Sequence, residues 1–297
     1  MAEVLILGAS GLFGARVAEA FLAAGWRVRR YRRGTDMAAA AQGADVIVNA
    51  LNPPMYHDWA RQIPAITAQV IAAARASGAT VILPGNVYVY GAQPGPWGAG
   101  TPHRPCSRKG AIRAAMEAEY RGSGLPVIIL RAGDFLDAAA PGSVMNMVVM
   151  KGLARGRLTA IAAPDVPRAY AYLPDMARAA VGLAERRAAL PRFADIAFAG
   201  LTFTLNDWRA EVEQQSGQVL RMKPFAWWQL GLLAPFWELA RELREMRYLY
   251  ETPHRLDPKP LAALLPDFRA AGLAQVVAAH LQARGLKLQV HPQRAVA

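Results

Sequence analysis

The 297-residue sequence predicts an α/β fold in which a doubly wound parallel sheet is joined to a small C-terminal α+β domain. Short apolar runs without polar alternation are typical of strands that are covered on both faces. They alternate with stretches that carry apolar side chains at helical spacing, and this order favours parallel strands linked by right-handed crossovers. The predicted strands of this sheet lie at residues 4–7, 26–31, 45–52, 80–83, 126–131 and 194–198. Helices are predicted at about 12–24, 56–77 and 109–121.

A glycine-rich segment directly follows the first predicted strand. Its glycines have the spacing G-x-x-G-x-x-G. One glycine allows a tight turn, one lets the backbone approach a pyrophosphate, and one allows the next helix to pack closely on the strand. That helix would direct free N–H groups at the phosphates. The pattern therefore predicts a dinucleotide site with contacts from Gly8, Ser10, Gly11, Leu12, Phe13 and Gly14.

The end of the second predicted strand bears on the choice of cofactor. Arg32 and Arg33 lie where an acidic residue would accept hydrogen bonds from the adenosine ribose of NAD. Arginines bind a 2′-phosphate instead, so the pair favours NADP, with NAD as the alternative. Asp36 lies too late in the sequence to sit at the tip of the strand. The other interpretation of the arginine pair is a solvated basic turn.

Later strands bring more candidate ligands to the same edge of the sheet. The carboxyl ends of parallel strands meet beside the first loop, where ligands collect in open α/β sheets. We expect the cofactor to contact Ala50, Leu51 and Asn52 at the end of the third strand, Asn86 after the fourth, and Arg131 at the end of the fifth.

From residue 132 onward the pattern is less regular. Thr204 and Asp207 resemble a capping box for a helix that ends near Gly217. The other predicted elements are a helix at 143–155, extended segments at 158–162 and 219–223, a strand at 168–173 and a helix that starts at 174–175. We predict a nucleotide-binding domain of residues 1–140 plus about 168–200, and a substrate domain of about 141–167 plus 201–297.

The composition narrows the class of protein. Hydrophobic residues make up 54% of the chain and charged residues 19%, which argues against disorder. The net charge is +12, but the arginines are dispersed and no basic block alternates with aromatic residues. We therefore expect a small, anionic ligand and no nucleic-acid partner. The single cysteine, Cys106, and the lack of a signal peptide or membrane-spanning segment lead us to expect a cytoplasmic protein. No metal is expected, and a homodimer is compatible with the sequence.

Residues 225–237 concentrate three of the seven tryptophans. The segment is too short to span a bilayer. We expect it in the core of the small domain or in a substrate pocket, because aromatic stripes at helical spacing are usually packed. The alternatives are docking of a second subunit and contact with a membrane surface.

Together these motifs resemble the short-chain dehydrogenase/reductase superfamily, in particular its extended branch, the NAD-dependent epimerase/dehydratase family. The resemblance rests on the glycine loop, Asp45, Tyr90-Gly91, and residues 105–117, 131–134 and 168–175. It implies a Rossmann domain with a small C-terminal domain that closes over the nicotinamide. Family enzymes carry a serine or threonine ahead of the Tyr-Gly pair and a Tyr-x-x-x-Lys pair on the next helix. In this chain those positions hold Asn86, Lys109 and Arg113, so the catalytic identities are changed.

The changed residues define a candidate catalytic set. Lys109 lies one helical turn before Arg113, whose charge would favour loss of the lysine proton, so Lys109 is the first candidate for proton transfer to or from the substrate. Arg113 would bind ribose or phosphate, and Asn86 would donate a hydrogen bond to the developing oxyanion. Tyr88 is the second candidate for the proton donor. The alternative is that Lys109 and Arg113 only bind cofactor or face water.

The sequence thus predicts an NADP-dependent oxidoreductase of the extended short-chain type, acting on a carbonyl or hydroxyl carbon of a small or sugar-like substrate. A second interpretation is a redox-neutral epimerase or dehydratase that retains its cofactor. A third is a catalytically silent dinucleotide-binding sensor or assembly factor, which the missing Tyr-x-x-x-Lys pair supports.

Overall fold

The larger sheet determines where ligands can bind. A computed structural model describes residues 1–286 and 288. Six parallel strands form this sheet: β1 (Glu3–Leu7), β2 (Arg27–Arg30), β3 (Val46–Asn49), β4 (Thr80–Gly85), β5 (Val127–Arg131) and β9 (Phe193–Ala197). They run in the order β2-β1-β3-β4-β5-β9, which confirms the predicted doubly wound sheet. Because β2 and β3 lie on opposite sides of β1, the winding reverses there, and such a switch point is where ligands bind.

Helices cover both faces of this sheet. In β1, Val4 and Ile6 face one helical layer, whereas Leu5 and Leu7 face the other, and all four are at most 1% exposed. Burial on both sides explains why the strand is a continuous apolar run. The first layer consists of α1 (Leu12–Ala23), α5 (Leu173–Glu185) and α10 (Lys259–Leu264), and the second of α2 (Met37–Ala41), α3 (Trp59–Ser77) and α4 (Arg108–Gly122).

A smaller α+β unit packs around its own core. Trp208 is fully buried there, and its ring stacks on Phe203 with the centroids 5.4 Å apart. Its sheet comprises β6 (Asp134–Leu136), β8 (Arg168–Tyr172) and β10 (Leu201–Phe203), and a parallel pair is formed by β7 (Arg157–Ala160) and β11 (Arg221–Pro224). Its helices are α6 (Leu205–Ser216), α7 (Trp227–Leu233), α8 (Glu238–Glu245), α9 (Tyr248–Glu251) and α11 (Leu273–Gln282).

The helix predicted at 143–155 is wrong. The structure has a short π-helix, Met145–Val149, and a 3₁₀ turn, Leu153–Arg155. The amide of Asn146 donates to the carbonyls of Asp137 (2.7 Å) and Ala140 (2.8 Å). These side-chain hydrogen bonds tie the backbone to the preceding loop, and they compete with a regular helical ladder.

Several other predictions for this half of the chain agree with the structure. The capping box between Thr204 and Asp207 is present, and the extended segment predicted at 219–223 forms two residues later as β11. The strand predicted at 168–173 is β8, which pairs with β6 and β10 in the smaller sheet. The domain boundaries remain a prediction, and α10, placed in the substrate domain, packs on the larger sheet.

The tryptophan-rich segment 225–237 is only partly packed. Trp227 is half-buried, and its indole N–H donates to the carbonyl of Ile161 at 2.7 Å. Trp228 and Phe236, by contrast, are 67% and 91% exposed. Leu230 and Ala234 are buried in a small cluster with Ala240. The expected place in the core or a pocket therefore holds for the inward-facing side chains of the segment and is wrong for the exposed ones. Over residues 1–286, no helix has the length and apolar character needed to cross a membrane.

Candidate functional site

A cavity of about 530 Å³ opens at the carboxyl ends of β1, β3 and β4, at the switch point of the larger sheet. It extends from the glycine loop to the segment that follows β5. Of the residues predicted to bind cofactor or act in catalysis, the cavity is lined by Gly11, Leu12, Phe13, Ala50, Leu51, Asn52, Asn86, Tyr88 and Arg113.

The glycines of the first loop have separate structural reasons. Gly8 has a left-handed φ of +80°, and a Cβ there would lie 2.8 Å from the carbonyl oxygen of Ala50. A Cβ on Gly14 would lie 2.2 Å from the carbonyl oxygen of Gly8, so only glycine lets α1 approach the strand this closely. Gly11 alone of the three lines the cavity. Gly8 and Gly14 therefore shape the loop, and Gly11 is where a ligand can approach the backbone.

The N-terminus of α1 is prepared for an anion. Its N-cap residue is Gly11, which has no side chain to accept the first N–H groups of the helix. Leu12 and Phe13, the first two helical residues, line the cavity. Uncapped N–H groups and the positive end of the helix dipole together suit a phosphate group. The residues present therefore fit a dinucleotide pyrophosphate, although exposed Ser10 lies outside the cavity lining.

A strained loop between β3 and α3 forms one wall of the cavity. Met55, Tyr56 and Asp58 all have left-handed φ values, of 53°, 62° and 48°. Non-glycine residues adopt such conformations at a cost of about 1–3 kcal/mol each, and they cluster at functional sites. In this loop Tyr56 lines the cavity, and its ring packs edge-on against Trp59 with centroids 5.1 Å apart.

Two phenols meet inside the cavity. The hydroxyls of Tyr56 and Tyr88 are 3.2 Å apart. Tyr88 is oriented by its own turn, since its backbone N–H donates to the side-chain oxygen of Asn86 at 3.1 Å. Burial raises the pKa of Tyr56, and burial together with the neighbouring phenol raises the pKa of Tyr88 well above its usual range. Both phenols are therefore held in the neutral form and can donate a proton.

Arg113 supplies positive charge to the same cavity. Its guanidinium lies 5.2 Å from the centroid of the Trp59 ring, and its Nη1 contacts the sulfur of Met116 at 3.4 Å. Its Nε is buried without a hydrogen-bond partner, and no carboxylate of the described residues forms an ion pair with it. Burial lowers the pKa of Arg113. Because a partly buried cation without an ion-pair partner carries a desolvation cost, an anionic ligand in the cavity would stabilise this guanidinium.

Lys109 does not face the cavity, which corrects the expectation that it transfers a proton to the substrate. It is 1% exposed, and its ammonium group forms ion pairs with Glu242 and Glu245 of α8. The same ammonium lies 5.1 Å from the centroid of the Tyr56 ring. The predicted role of Lys109 required a cationic neighbour, but its partners are two carboxylates. Its ammonium group contacts the ring of Tyr56, and Lys109 itself does not line the cavity.

Arg131 is also corrected, from cofactor ligand to structural residue. Its side chain is fully buried, and all five of its N–H donors are used. They donate to Glu117 at 2.7 and 3.1 Å, to Asp195 at 2.7 and 3.0 Å, and to the backbone oxygen of Asn86 at 2.6 Å. No donor is left for a ligand, so Arg131 contributes by fixing the position of Asn86.

A neighbouring cluster has the composition of a metal site. One ligand atom from each of His103, Glu117 and Asp195 lies within 4.8 Å of the others. Both carboxylates, however, are bound bidentately by the Arg131 guanidinium. This cluster is therefore explained as an ion-pair network around a buried arginine.

Arg32 and Arg33 are exposed, just after β2, and outside the cavity lining. The only nearby acidic residue of this loop, Asp36, caps α2 by accepting from the backbone N–H groups of Ala38 (2.8 Å) and Ala39 (3.1 Å). That carboxylate is therefore engaged by the N-terminus of α2.

Sequence reasoning missed Tyr56, Trp59 and Asp134, which also line the cavity. A signal was available for each. Tyr56 and Trp59 follow a Pro-Pro pair directly after the third strand, and Asp134 follows the fifth, so both segments leave the edge of the sheet where ligands bind.

Comparison with known proteins identifies solved structures that have the same architecture. No protein-family model and no curated protein matches the chain. Solved structures do match over nearly its whole length. The UDP-glucuronic acid 4-epimerase from Bacillus cereus, in complex with NAD, is 16% identical, with a TM-score of 0.76 over 95% of this chain and 96% of that one. The UDP-glucose 4-epimerase from Brucella ovis, also in complex with NAD, is 17% identical, with a TM-score of 0.75 over 97% and 100%.

A third match is the NAD-dependent NDP-hexosamine 5,6-dehydratase TunA, which is 17% identical, with a TM-score of 0.71 over 96% of this chain and 98% of that one. The chain therefore has the fold of these two epimerases and of the dehydratase. The fold that the sequence resemblance implied is confirmed, for the larger sheet and for the smaller α+β unit alike.

Proposed function

We propose that the protein is a nicotinamide-dinucleotide-dependent enzyme that acts as an epimerase or dehydratase on an anionic, sugar-like substrate. One observation carries the proposal: a single cavity joins the uncapped N-terminus of α1 to a pair of neutral phenols and an unpaired guanidinium. The structural neighbours support this reaction class, because their names describe NAD-dependent enzymes that act on nucleotide sugars. This is the second interpretation of the sequence, placed ahead of net oxidoreduction.

The cofactor would be held by backbone and side chains together. Its pyrophosphate would lie against the N–H groups of Leu12 and Phe13, with Gly11 allowing the close approach. Arg32 and Arg33 favour the 2′-phosphate of NADP, and the capping role of Asp36 removes the acidic competitor. The two epimerases named above are in complex with NAD and the dehydratase is named as NAD-dependent, so the preference for NADP is the part of the proposal that distinguishes this chain from them.

When bound, the nicotinamide supplies or accepts the hydride. Tyr88 would then exchange a proton with the reacting oxygen, and Tyr56, 3.2 Å away, would share that proton through its own hydroxyl. The side-chain oxygen of Asn86 is used by its turn, which leaves its amide nitrogen to donate to the developing oxyanion. Arg113 would bind an anionic group of the substrate or cofactor.

A second candidate function is net carbonyl reduction, the first interpretation of the sequence. It is favoured by the two neutral phenols in the cavity, whose hydroxyls lie 3.2 Å apart. A neutral phenol can donate a proton to a carbonyl as hydride arrives, whereas oxidation of a hydroxyl needs a base. The epimerase and dehydratase cycles need both roles in turn.

The test begins with isothermal calorimetry of NADPH and NADH binding. It continues with turnover of UDP-glucose, UDP-glucuronate and UDP-hexosamines, followed by chromatography of the sugars and by absorbance of the reduced nicotinamide. We expect a converted sugar without a lasting change in absorbance. Stoichiometric oxidation of NADPH would select the reductase, and binding without turnover of any sugar would select the silent sensor. Absence of dinucleotide binding would overturn the whole proposal.

A further inference from the structure

An apolar surface stands out on the small domain. It is formed by the exposed side chains of α7 and of the turn before α8, here called the α7–α8 surface. Its members are Trp228, Leu232, Leu233, Phe236 and Trp237, which are between 44% and 91% exposed. Single exposed apolar residues are ordinary, but five large exposed apolar side chains within ten residues of one helix and turn are a concentration of the kind that marks an interaction site.

Most acidic residues near this surface are ion-paired, whereas most of the basic residues are exposed. The acidic residues of α8 face the rest of the protein, where Glu242 and Glu245 form ion pairs with Lys109, and Glu242 also pairs with Arg108. Glu238 is hydrogen-bonded to His57 at 2.9 Å.

The basic residues of the same region are turned outward. Arg241, Arg244 and Arg247 are exposed, and they border a surface depression together with Trp227, Trp228 and the ion-paired Glu245. Arg247 also forms an exposed ion pair with Glu251 at 2.8 Å. Arg221 and Lys223 on β11, which precedes α7, are exposed as well. The outward face of the region is thus apolar with an excess of positive charge, because each carboxylate of α8 has a partner and Glu251 offsets only Arg247.

We propose that the α7–α8 surface is a peripheral membrane-binding site that docks on an anionic bilayer. Tryptophan and phenylalanine partition into the interfacial zone of a bilayer, and arginines at its rim are attracted by anionic headgroups. A short helix with one apolar face and basic flanks lies in the plane of the interface and does not cross it. The complementary charge of the rim selects an anionic lipid surface over a second copy of this basic chain, whose net charge is +12.

The surface adjoins the cavity through one loop. Met55 lines the cavity and is 62% exposed, and it lies two residues from His57, the partner of Glu238 at the start of α8. Docking through the α7–α8 surface would therefore bring this edge of the cavity close to the bilayer. The inference does not depend on the proposed function, since binding to vesicles is measured without turnover.

Flotation with vesicles tests the proposal. Vesicles of equal parts phosphatidylglycerol and phosphatidylcholine are compared with vesicles of phosphatidylcholine alone, at low and at high salt. We expect the full-length protein to float with the anionic vesicles, and binding to weaken as salt rises, because surface charges are screened. The double variant Trp228→Gln/Phe236→Gln should reduce partitioning at least about tenfold, since two large apolar side chains no longer enter the interface.

Matched variants separate the apolar and the electrostatic contributions. Leu22→Gln replaces an exposed apolar residue of α1, which is 52% exposed and outside the surface, and should leave partitioning unchanged. Arg241→Gln/Arg244→Gln should lower binding and flatten its salt dependence. Circular dichroism establishes that each variant is folded.

Two results would overturn the proposal. One is a failure of the wild-type protein to bind anionic vesicles. The other is vesicle binding that is equal in the wild type and in Trp228→Gln/Phe236→Gln. If the wild type fails to float and is instead a dimer by analytical ultracentrifugation, which the double variant converts to monomers, the surface is an interface between two copies.

Discussion

Replacement of Arg113 by methionine should separate ligand binding from stability. The guanidinium is half-buried, packs on Trp59, and has a buried Nε with no partner. Methionine keeps a side chain of similar length against that ring, and it removes a charge that is desolvated without an ion-pair partner. Replacing a buried charge with a well-packed apolar group is often neutral or stabilising. The lost cation–π contact costs about 0.5–2 kcal/mol, and removal of the desolvated charge offsets this cost. We therefore expect the free energy of unfolding of Arg113→Met to stay within about 1 kcal/mol of the wild type, or to rise.

Ligand affinity should fall in the same variant. A hydrogen bond to a charged group contributes about 1.5–3 kcal/mol, so its loss weakens binding about 10- to 150-fold. Calorimetry with NADPH measures the effect if the arginine binds the cofactor, and KM for a converted sugar nucleotide measures it if the arginine binds the substrate. Urea unfolding gives the stability of the same samples.

Arg121→Met is the matched control. Arg121 lies on the same helix and stacks on an aromatic ring, 4.0 Å from the centroid of Phe193, but it does not line the cavity. It should lose a comparable cation–π contact and retain both affinities. A loss of more than about 2 kcal/mol in Arg113→Met with both affinities unchanged would refute the reasoning, because Arg113 would then be a structural arginine.

Three further predictions address the phenol, the buried arginine and the cofactor. Tyr88→Phe should lower kcat about 100-fold or more with little change in cofactor affinity. Since burial holds the pKa of Tyr88 well above 10, the wild-type rate of carbonyl reduction should not change with pH up to about pH 10. A decline in this rate between about pH 7 and 9 would contradict the role of Tyr88 as the acid. Arg131→Met should cost about 3–5 kcal/mol in urea unfolding by leaving two buried carboxylates unpaired, and a cost under about 1 kcal/mol would argue against the network. Arg32→Ala/Arg33→Ala should weaken NADPH about tenfold while NADH changes little, and equal effects on both would disprove selection of the 2′-phosphate.

The part of the fold that sequence predicts well is the part governed by local rules. A strand buried on both faces is apolar at every position, as at residues 4–7. Gly14 is required by a contact with Gly8, six residues earlier, and Gly8 by its left-handed φ of +80°. These requirements are visible in a short window of sequence. The sheet order and the position of the cavity follow from them once the strands alternate with helices.

The errors in the site arise from partners that are distant in sequence. Lys109 has the sequence neighbours of a solvent-facing or catalytic residue, but its carboxylate partners come from α8, more than a hundred residues later. Arg131 lies at a strand end of the kind that faces ligands in such sheets, but its guanidinium forms an ion pair with Asp195 on the adjacent β9. Whether a cation is free for a ligand depends on these tertiary ion pairs, which no local pattern encodes.

Backbone strain in the loop after β3 is a second reason why the sequence did not predict the site in full. The helix predicted at 56–77 begins only at Trp59. Met55, Tyr56 and Asp58, which precede it, adopt left-handed conformations that a right-handed helix does not contain. Helical periodicity gives no sign of such a loop, since tertiary contacts impose it. The consequence for the site is large, because this strained segment supplies the second phenol.

The two phenols suggest how this chain compensates for its changed helix. Where the family resemblance places a catalytic tyrosine on α4, the chain has Lys109, whose ammonium group lies beside the ring of Tyr56 at 5.1 Å from the centroid. Tyr56 in turn lies 3.2 Å, oxygen to oxygen, from Tyr88. A phenol supported by a cation is thus retained in the cavity, although the phenol now comes from the loop after β3 and the cation from the helix. Because the carboxylates of α8 hold Lys109 in this position, the support of Tyr56 depends on the same helix that carries the arginines of the α7–α8 surface.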